Sequence, residues 1–316
     1  MSFELNPDES LRKNIRRIAR KQMDEALVCL TGPHEGSPDE AVHEARKSFK
    51  KIRAVLRLVR PVIDEKSYRE ENTCFRDAGR PLTEVRDAKI LIETLDRIAE
   101  HFKEHIVGRS FDDVRRALQK NLRAVRKRVL DEQDAFAVVA EAARQSRGRI
   151  KAWADVPNKW PAVGEGLEDV YRRAGDAHEE AIADPTVETL HEWRKQAKYL
   201  RYQLEILRPI WPERMEELAG EADRMGELLG DDHDLAVLRQ TITDDAAGPG
   251  DEGDREALLA LIDRRRSELQ QEARLLGGRF FVDRPREFAR RLKRYWKAWR
   301  SQAAAGQPGE PQPAPA

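Results

Sequence analysis

The stretch His43-Glu-Ala-Arg46-Lys47-Ser-Phe-Lys50-Lys-Ile-Arg53 decides how the rest of the chain is read, because it occurs twice. Its second copy is His191-Glu-Trp-Arg194-Lys195-Gln-Ala-Lys198-Tyr-Leu-Arg201, 148 residues further on, and both copies run on to an Arg-Pro pair, Arg60-Pro61 and Arg208-Pro209. A second match follows in the same order: Gly79-Arg-Pro-Leu82-Thr-Glu-Val-Arg86-Asp87 aligns with Gly226-Glu-Leu-Leu229-Gly-Asp-Asp-His233-Asp234 at an offset of 147. A weaker one precedes both, Leu11, Ile15, Arg16 and Arg17 against Leu167, Tyr171, Arg172 and Arg173. Matches kept in one order indicate a tandem duplication. Its halves lie at 1–150 and 160–303 of a single unit spanning 1–303, with a linker at about 151–166 (KAWADVPNKWPAVGEG) and a disordered tail at 304–316.

Helical geometry turns the repeated motif into a surface. At about 100° per residue, His43, Arg46, Lys47, Lys50, Arg53 and Arg57 share an arc of roughly 120°, while Ala45, Phe49, Ile52, Val55, Leu56 and Val59 take the other side. In the second copy His191, Arg194, Lys195, Lys198 and Arg201 occupy the same arc with Tyr202 among them, and Trp193, Ala197, Leu200, Leu204 and Leu207 point away. Most cationic helix faces are simply solvated. Such faces usually intersperse acids, however, since like charges at this spacing cost about 0.2–0.5 kcal/mol per pair. The first arc carries no acid at its own positions, and the pattern is kept in both copies while the residues around it differ. A repulsive row kept twice points to a polyanion that neutralises it.

His43 and His191 sit at the centre of these arcs rather than on the apolar side, where an imidazole can donate to a phosphate oxygen. Metal ligation is not expected there, because the neighbouring Lys and Arg repel cations and no carboxylate shares the face. His34, His101, His105 and His178 lie outside the repeated motifs and read as surface or packing residues. Arg86-Asp87 and His233-Asp234 read as helix starts, with the aspartates structural and Arg86 and His233 possible rim contacts. The basic stretch holding Arg115, Arg116, Lys120, Arg123 and Lys127 either extends the surface or is solvated; the sequence leaves both open.

Working outward, helical periodicity recurs along most of the chain and strict alternation is scarce. Helices are expected from about 9 to 30, then from the Ser37-Pro38-Asp39-Glu40 start to Arg60, and at 66–80, 83–104, 112–145, 164–182, 187–208, 213–229, 233–243, 254–277 and 285–300. Residues 244–253 read as an exposed acidic loop. Composition agrees with an all-α fold: of 316 residues 37% are charged and only 6% aromatic. Lys plus Arg number 58 and Asp plus Glu 58, so overall charge recruits no partner and any electrostatic binding must come from local segregation of sign. Cys29 and Cys74 show no zinc or redox spacing and read as structural thiols. The acidic start lacks a signal pattern, and no apolar run approaches the roughly 18 residues of a span. A cytoplasmic location is expected.

With these motifs in view, the chain resembles the CHAD family, the conserved histidine α-helical domain. The resemblance rests on the two histidine-headed motifs, on Arg86-Asp87, on Leu229-Gly230 with Asp234, and on a C-terminal pattern of Gly277, Gly278, Arg279, Phe280, Pro285, Phe288 and Trp296, covering about Pro7 to Trp299. It implies two bundle-like halves related by a pseudo-twofold, about four to six helices each, whose histidine helices line a shared basic channel or groove. It further implies binding of inorganic polyphosphate, with location at polyphosphate granules among the open cellular roles. The family's frequent companion, a CYTH triphosphatase, would show an ExExK signature. None occurs here, so that activity is not carried over. One departure stands out: Arg57 of the first motif corresponds to Glu205 in the second, which makes the second arc less positive and the surface asymmetric.

The expected function is therefore non-enzymatic polyphosphate binding, with no cofactor and no membrane partner. A phosphohydrolase or phosphotransfer enzyme would need a carboxylate–metal cluster or an activated nucleophile, and neither is evident on the basic face. Nucleic acid is not the expected partner and ranks below polyphosphate, because the stripes lack interleaved aromatics for base stacking.

Overall fold

The computed structural model describes residues 3–32, 38–106, 110–153, 156–244 and 251–306. Eleven α-helices and no strand occur among them: α1 Leu11–Thr31, α2 Pro38–Leu58, α3 Glu65–Ala78, α4 Thr83–His101, α5 Asp112–Arg126, α6 Ala135–Arg149, α7 Pro161–Ala183, α8 Val187–Ile206, α9 Pro212–Asp244, α10 Glu252–Phe280 and α11 Pro285–Gly306. The chain is an all-α helical bundle.

Local chemistry sets several starts. The Ser10 hydroxyl accepts from the Lys13 amide to open α1, Thr186 and Thr189 form a reciprocal cap on α8, and the Asp251 carboxylate accepts from the Gly253 and Asp254 amides at α10. Pro38 and Pro161 occupy first-turn positions where a missing amide costs nothing. Ser37, read as a cap, and most of the 244–253 loop lie outside the described residues, as does the tail from 307; α11 itself runs on to Gly306.

Three boundaries differ from expectation. The single helix expected over 112–145 is interrupted by a π-helical turn at Lys127–Glu132 and by Asp134, whose φ of 46° breaks the hydrogen-bond ladder before α6. The two helices expected over 213–229 and 233–243 are one, because packing outweighs the low propensity of Gly230: the Asp232 carboxylate is buried and accepts from Arg266 Nε (3.0 Å) and Gln270 Nε2 (2.8 Å). Residues 161–166, assigned to a linker, open α7, anchored by Trp160 packed on Trp296 at 5.9 Å.

The apolar faces of the helices meet in one continuous core, in which Trp193, Phe49, Ile52 and Leu56 are almost fully buried. Each such side chain contributes roughly 1.5–3 kcal/mol of burial. α2 packs on α1, α3, α7 and α8, and α8 packs on α7 and α9, while α4 packs on α9. The α7–α2 approach is set by Gly166, where a Cβ would stand 2.1 Å from the Leu58 carbonyl oxygen. α11 lies on α7. Tyr171 stacks on Phe288 at 4.0 Å and donates to the Phe280 and Asp283 carbonyls (3.1 and 3.2 Å), which pins the α10–α11 turn.

Candidate functional site

The apolar sides of α2 and α8 are held in the core, so their opposite faces are turned outward, where α4 and α9 flank them. The four helices enclose a cavity of about 900 Å³. Eleven of the twelve residues singled out on the two motifs line it: His43, Arg46, Lys47, Lys50 and Arg53 from α2, and His191, Arg194, Lys195, Lys198, Arg201 and Tyr202 from α8. Arg86 of α4 and His233 of α9 line it as well; Arg86-Asp87 sits at the start of α4 as expected, whereas His233-Asp234 lies well inside α9.

Arg57 does not join them. Its guanidinium lies over the Tyr199 ring at 3.8 Å and donates to Asn72 Oδ1 (3.0 Å), on the side of α2 that meets α3. Arg53 shares that Asn72 oxygen at 3.1 Å, so it stands at the cavity edge with one donor already engaged. Tyr202 lines the cavity while almost fully buried, with Phe3 edge-on at 6.2 Å, and burial drives its phenol up to about 12. It is a wall rather than an exposed donor.

The arcs are also less acid-free than their own positions suggested. Lys47 pairs with Glu44 at 3.2 Å, Lys195 with Glu192, and Arg201 with both Glu205 (2.8 Å) and Asp223. These partners sit one turn away or on a neighbouring helix, so a wheel of the cationic positions does not show them. Glu205, standing where the first motif has Arg57, neutralises Arg201 directly. That leaves Arg46, Lys50, Arg194 and Lys198, one pair from each motif, as cavity cations that form no direct ion pair among the described residues.

Glycines bring these cations close to the wall. A Cβ on Gly230 would lie 3.2 Å from Arg194 Nε and one on Gly226 would lie 3.3 Å from Lys198 Cγ, so the i, i+4 glycines of α9 leave a track for the i, i+4 cations of α8. In α2, Arg46 donates to the Gly79 carbonyl (3.1 Å) and to Thr83 Oγ1. Arg194 Nε and His233 Nδ1 are buried without a hydrogen-bond partner among the described residues. Buried polar nitrogens of this kind, the Arg194 donor above all, are costly unless a hydrogen-bond partner reaches them.

Crowding of like charge shows in the proton affinities. Burial, reinforced by Lys198, Arg46, Arg194 and Arg86, lowers Lys50 to about 7. Burial, then Arg194, lowers Lys198 to about 8, against the opposing pull of Asp234 and Asp223. His191 and His233 lie with ring centroids 4.7 Å apart, and both are lowered to about 4, chiefly by burial. His43 is lowered by burial and Arg86. At neutral pH the histidines are uncharged hydrogen-bonding groups.

Sequence reasoning missed the acids and one cation. Asp87 and Asp234, read as structural, both line the cavity, and burial raises both; Asp234 adds to the rise at Asp87, and Asp231 to that at Asp234. Arg97 spans from α4 to Asp231 (3.5 Å) and Asp234 (3.6 Å) of α9, closing one side of the cavity. Nothing in the pattern of α4 marks Arg97, since its partners lie far along the chain. Among the described residues no group of three or more His, Cys, Asp or Glu is placed to hold a metal ion, and no helix is long and apolar enough to cross a membrane.

The model of the CHAD domain matches residues 17–243. The chain belongs to the CHAD family. Among curated proteins it is similar to two uncharacterized proteins of Mycobacterium tuberculosis, one from strain CDC 1551 (26% identical over 276 residues) and one from strain H37Rv (26% over 281 residues). The match covers 82% of this chain and 51% of each relative, so the CHAD chain spans about half the length of the curated relatives it matches. Among solved structures it is similar to PptA from Streptomyces chartreusis, with a TM-score of 0.59 at 16% identity over 87% of this chain and 100% of that one. It is similar too to the CHAD domain of the plant Ricinus communis, with a TM-score of 0.56 at 17% identity over 85% and 94% of the two chains. At such identities the likeness is one of fold.

Proposed function

We propose that this CHAD protein binds inorganic polyphosphate, without turning it over, in the cavity between α2, α4, α8 and α9. One observation carries the reading: Arg46, Lys50, Arg194 and Lys198 converge on a single cavity from two helices, and burial, reinforced by repulsion from neighbouring cations, lowers the proton affinity of both lysines. A ligand dense in negative charge relieves that repulsion and supplies acceptors for the buried Arg194 Nε. Arginine forks and lysine point charges suit phosphate oxygens, and the neutral His43, His191 and His233 add single donors at the rim. The repeated motif is read as an internal duplication whose two copies build one composite, asymmetric site, since Arg57 and Glu205 take different places around it.

The test is a calorimetric titration with polyphosphates of defined length. Chains long enough to span the cavity should bind with an affinity that falls steeply with salt, by analogy with counterion release on nucleic acids. Replacing Lys50 and Lys198 by Glu should abolish binding while helical content is kept. Unchanged affinity in that double variant would remove the proposal, and release of phosphate in proportion to protein would replace it with an enzymatic one.

A further inference from the structure

Five cations of α11, Arg286, Arg290, Lys293, Arg294 and Lys297, are exposed, and none forms an ion pair or side-chain hydrogen bond with any described residue. Exposed arginines such as Arg172, Arg224 and Arg239 are paired with carboxylates, whereas Arg80, Arg123 and Arg279 are, like these five, exposed with no ion pair among the described residues. What sets the α11 cations apart is that they share one face of one helix. At about 100° per residue the five fall within an arc of roughly 100°, and at 1.5 Å per residue they extend over about 16 Å. The nearest acid on the helix, Glu287, lies outside that arc in the first turn, and Asp283 is taken by Arg291 at 2.7 Å. The opposite side of α11, with Phe288, Leu292 and Trp296, is buried, and the stacked Tyr171 fixes the helix to α7. The stripe is therefore rigid, convex and separate from the cavity of the proposed function, none of whose walls comes from α11. It also lies beyond the residues matched to the CHAD domain.

We infer that this face of α11 is a docking surface for duplex DNA, held through phosphates without base readout. A flexible polyanion gains most from an enclosed site that offsets the loss of its chain freedom. A stiff duplex is already ordered and presents its phosphates as a row to a convex helix. The stripe carries no exposed aromatic for stacking unpaired bases, which argues against single strands. The B-form major groove admits an α-helix, whereas the deep, narrow groove of duplex RNA does not. The apolar face of α11 is already used in the core, so it has no surface left to insert into a bilayer.

The test is fluorescence anisotropy with a labelled duplex of about 20 base pairs and arbitrary sequence, at about 50 mM salt, where five phosphate contacts predict a loss of affinity of roughly 500-fold on going to 200 mM. In the variant Arg290→Gln/Lys293→Gln/Arg294→Gln/Lys297→Gln, duplex affinity is expected to fall at least about tenfold, with helical content and polyphosphate affinity unchanged. The Lys50→Glu/Lys198→Glu variant should keep its duplex affinity, which separates this inference from the cavity reading. The inference is overturned if the wild-type protein does not bind the duplex or if the cavity variant loses the duplex while the α11 variant keeps it. It is equally overturned if the α11 variant loses polyphosphate as much as DNA, or if α11-dependent binding is found only with vesicles containing phosphatidylglycerol.

Discussion

Lys50 and Lys198 line one cavity from different helices, and Lys198 is the charged neighbour that most lowers the pKa of Lys50. Two residues at equivalent places in a repeated motif thus meet across the site, with Lys198 depressing Lys50, and the cavity they share leads to four measurable predictions.

The first concerns stability. Lys50 titrates near 7 in the folded chain and at 10.5 when unperturbed, so between those values the unfolded chain holds a proton that the folded one does not. Stability contributed by this group therefore rises with pH across that window, and the full penalty applies below pH 7. Each tenfold loss of proton affinity on folding costs about 1.4 kcal/mol; discounted for solvent in the cavity, Lys50→Met is expected to stabilise the ligand-free protein by about 1–2 kcal/mol at pH 6. Urea midpoints at pH 6 and pH 9 check this: the gain should shrink at the higher pH.

Binding should take up protons. A bound polyanion favours the charged ammonium, raising Lys50 from about 7 and Lys198 from about 8. At pH 8 the complex should absorb on the order of one proton, and affinity should fall as pH rises through both values. Calorimetry in buffers of different ionisation enthalpy reads the uptake directly; a pH-independent affinity with no uptake contradicts the assignment of these lysines.

Arg57 and Arg46 should separate cleanly. Arg57→Ala removes a cation lying over Tyr199 outside the cavity, so stability should drop by about 1 kcal/mol with polyphosphate affinity within about twofold. Arg46→Ala removes a cavity cation and should cost roughly tenfold or more in affinity. Thermal melts and titrations on the two variants decide it.

Gly230→Ala is expected to improve helix propensity by up to about 1 kcal/mol while pushing the Arg194 guanidinium off its track, since the added Cβ stands 3.2 Å from Nε. The expected result is a protein at least as stable as the parent, with affinity lowered about three- to tenfold. Equal affinity would show that Arg194 is free to shift.

Much of this was legible in the sequence, for a physical reason. Helical periodicity and the repeat fix which faces of α2 and α8 are apolar, and burying one face dictates where His43, Arg46, Lys50, Arg194 and Lys198 must point. What escaped depends on neighbours distant in the chain. Arg57 is drawn aside by Tyr199 and Asn72, Tyr202 is covered by Phe3, and Arg97 is fixed by Asp231 and Asp234. The break at Asp134 and the continuity of α9 through Gly230 escaped likewise, because local propensity does not determine either. Glu44 and Glu192 were visible, but a wheel restricted to the cationic positions hides a partner one turn away.

The cavity draws its walls from α2 near one end of the chain and from α9, which ends at Asp244. A chain emerging from the ribosome therefore makes its first histidine helix long before it can make a site. The cavity is complete only once α8 and α9 have docked, so a truncated or stalled product carries the motif but not the cavity.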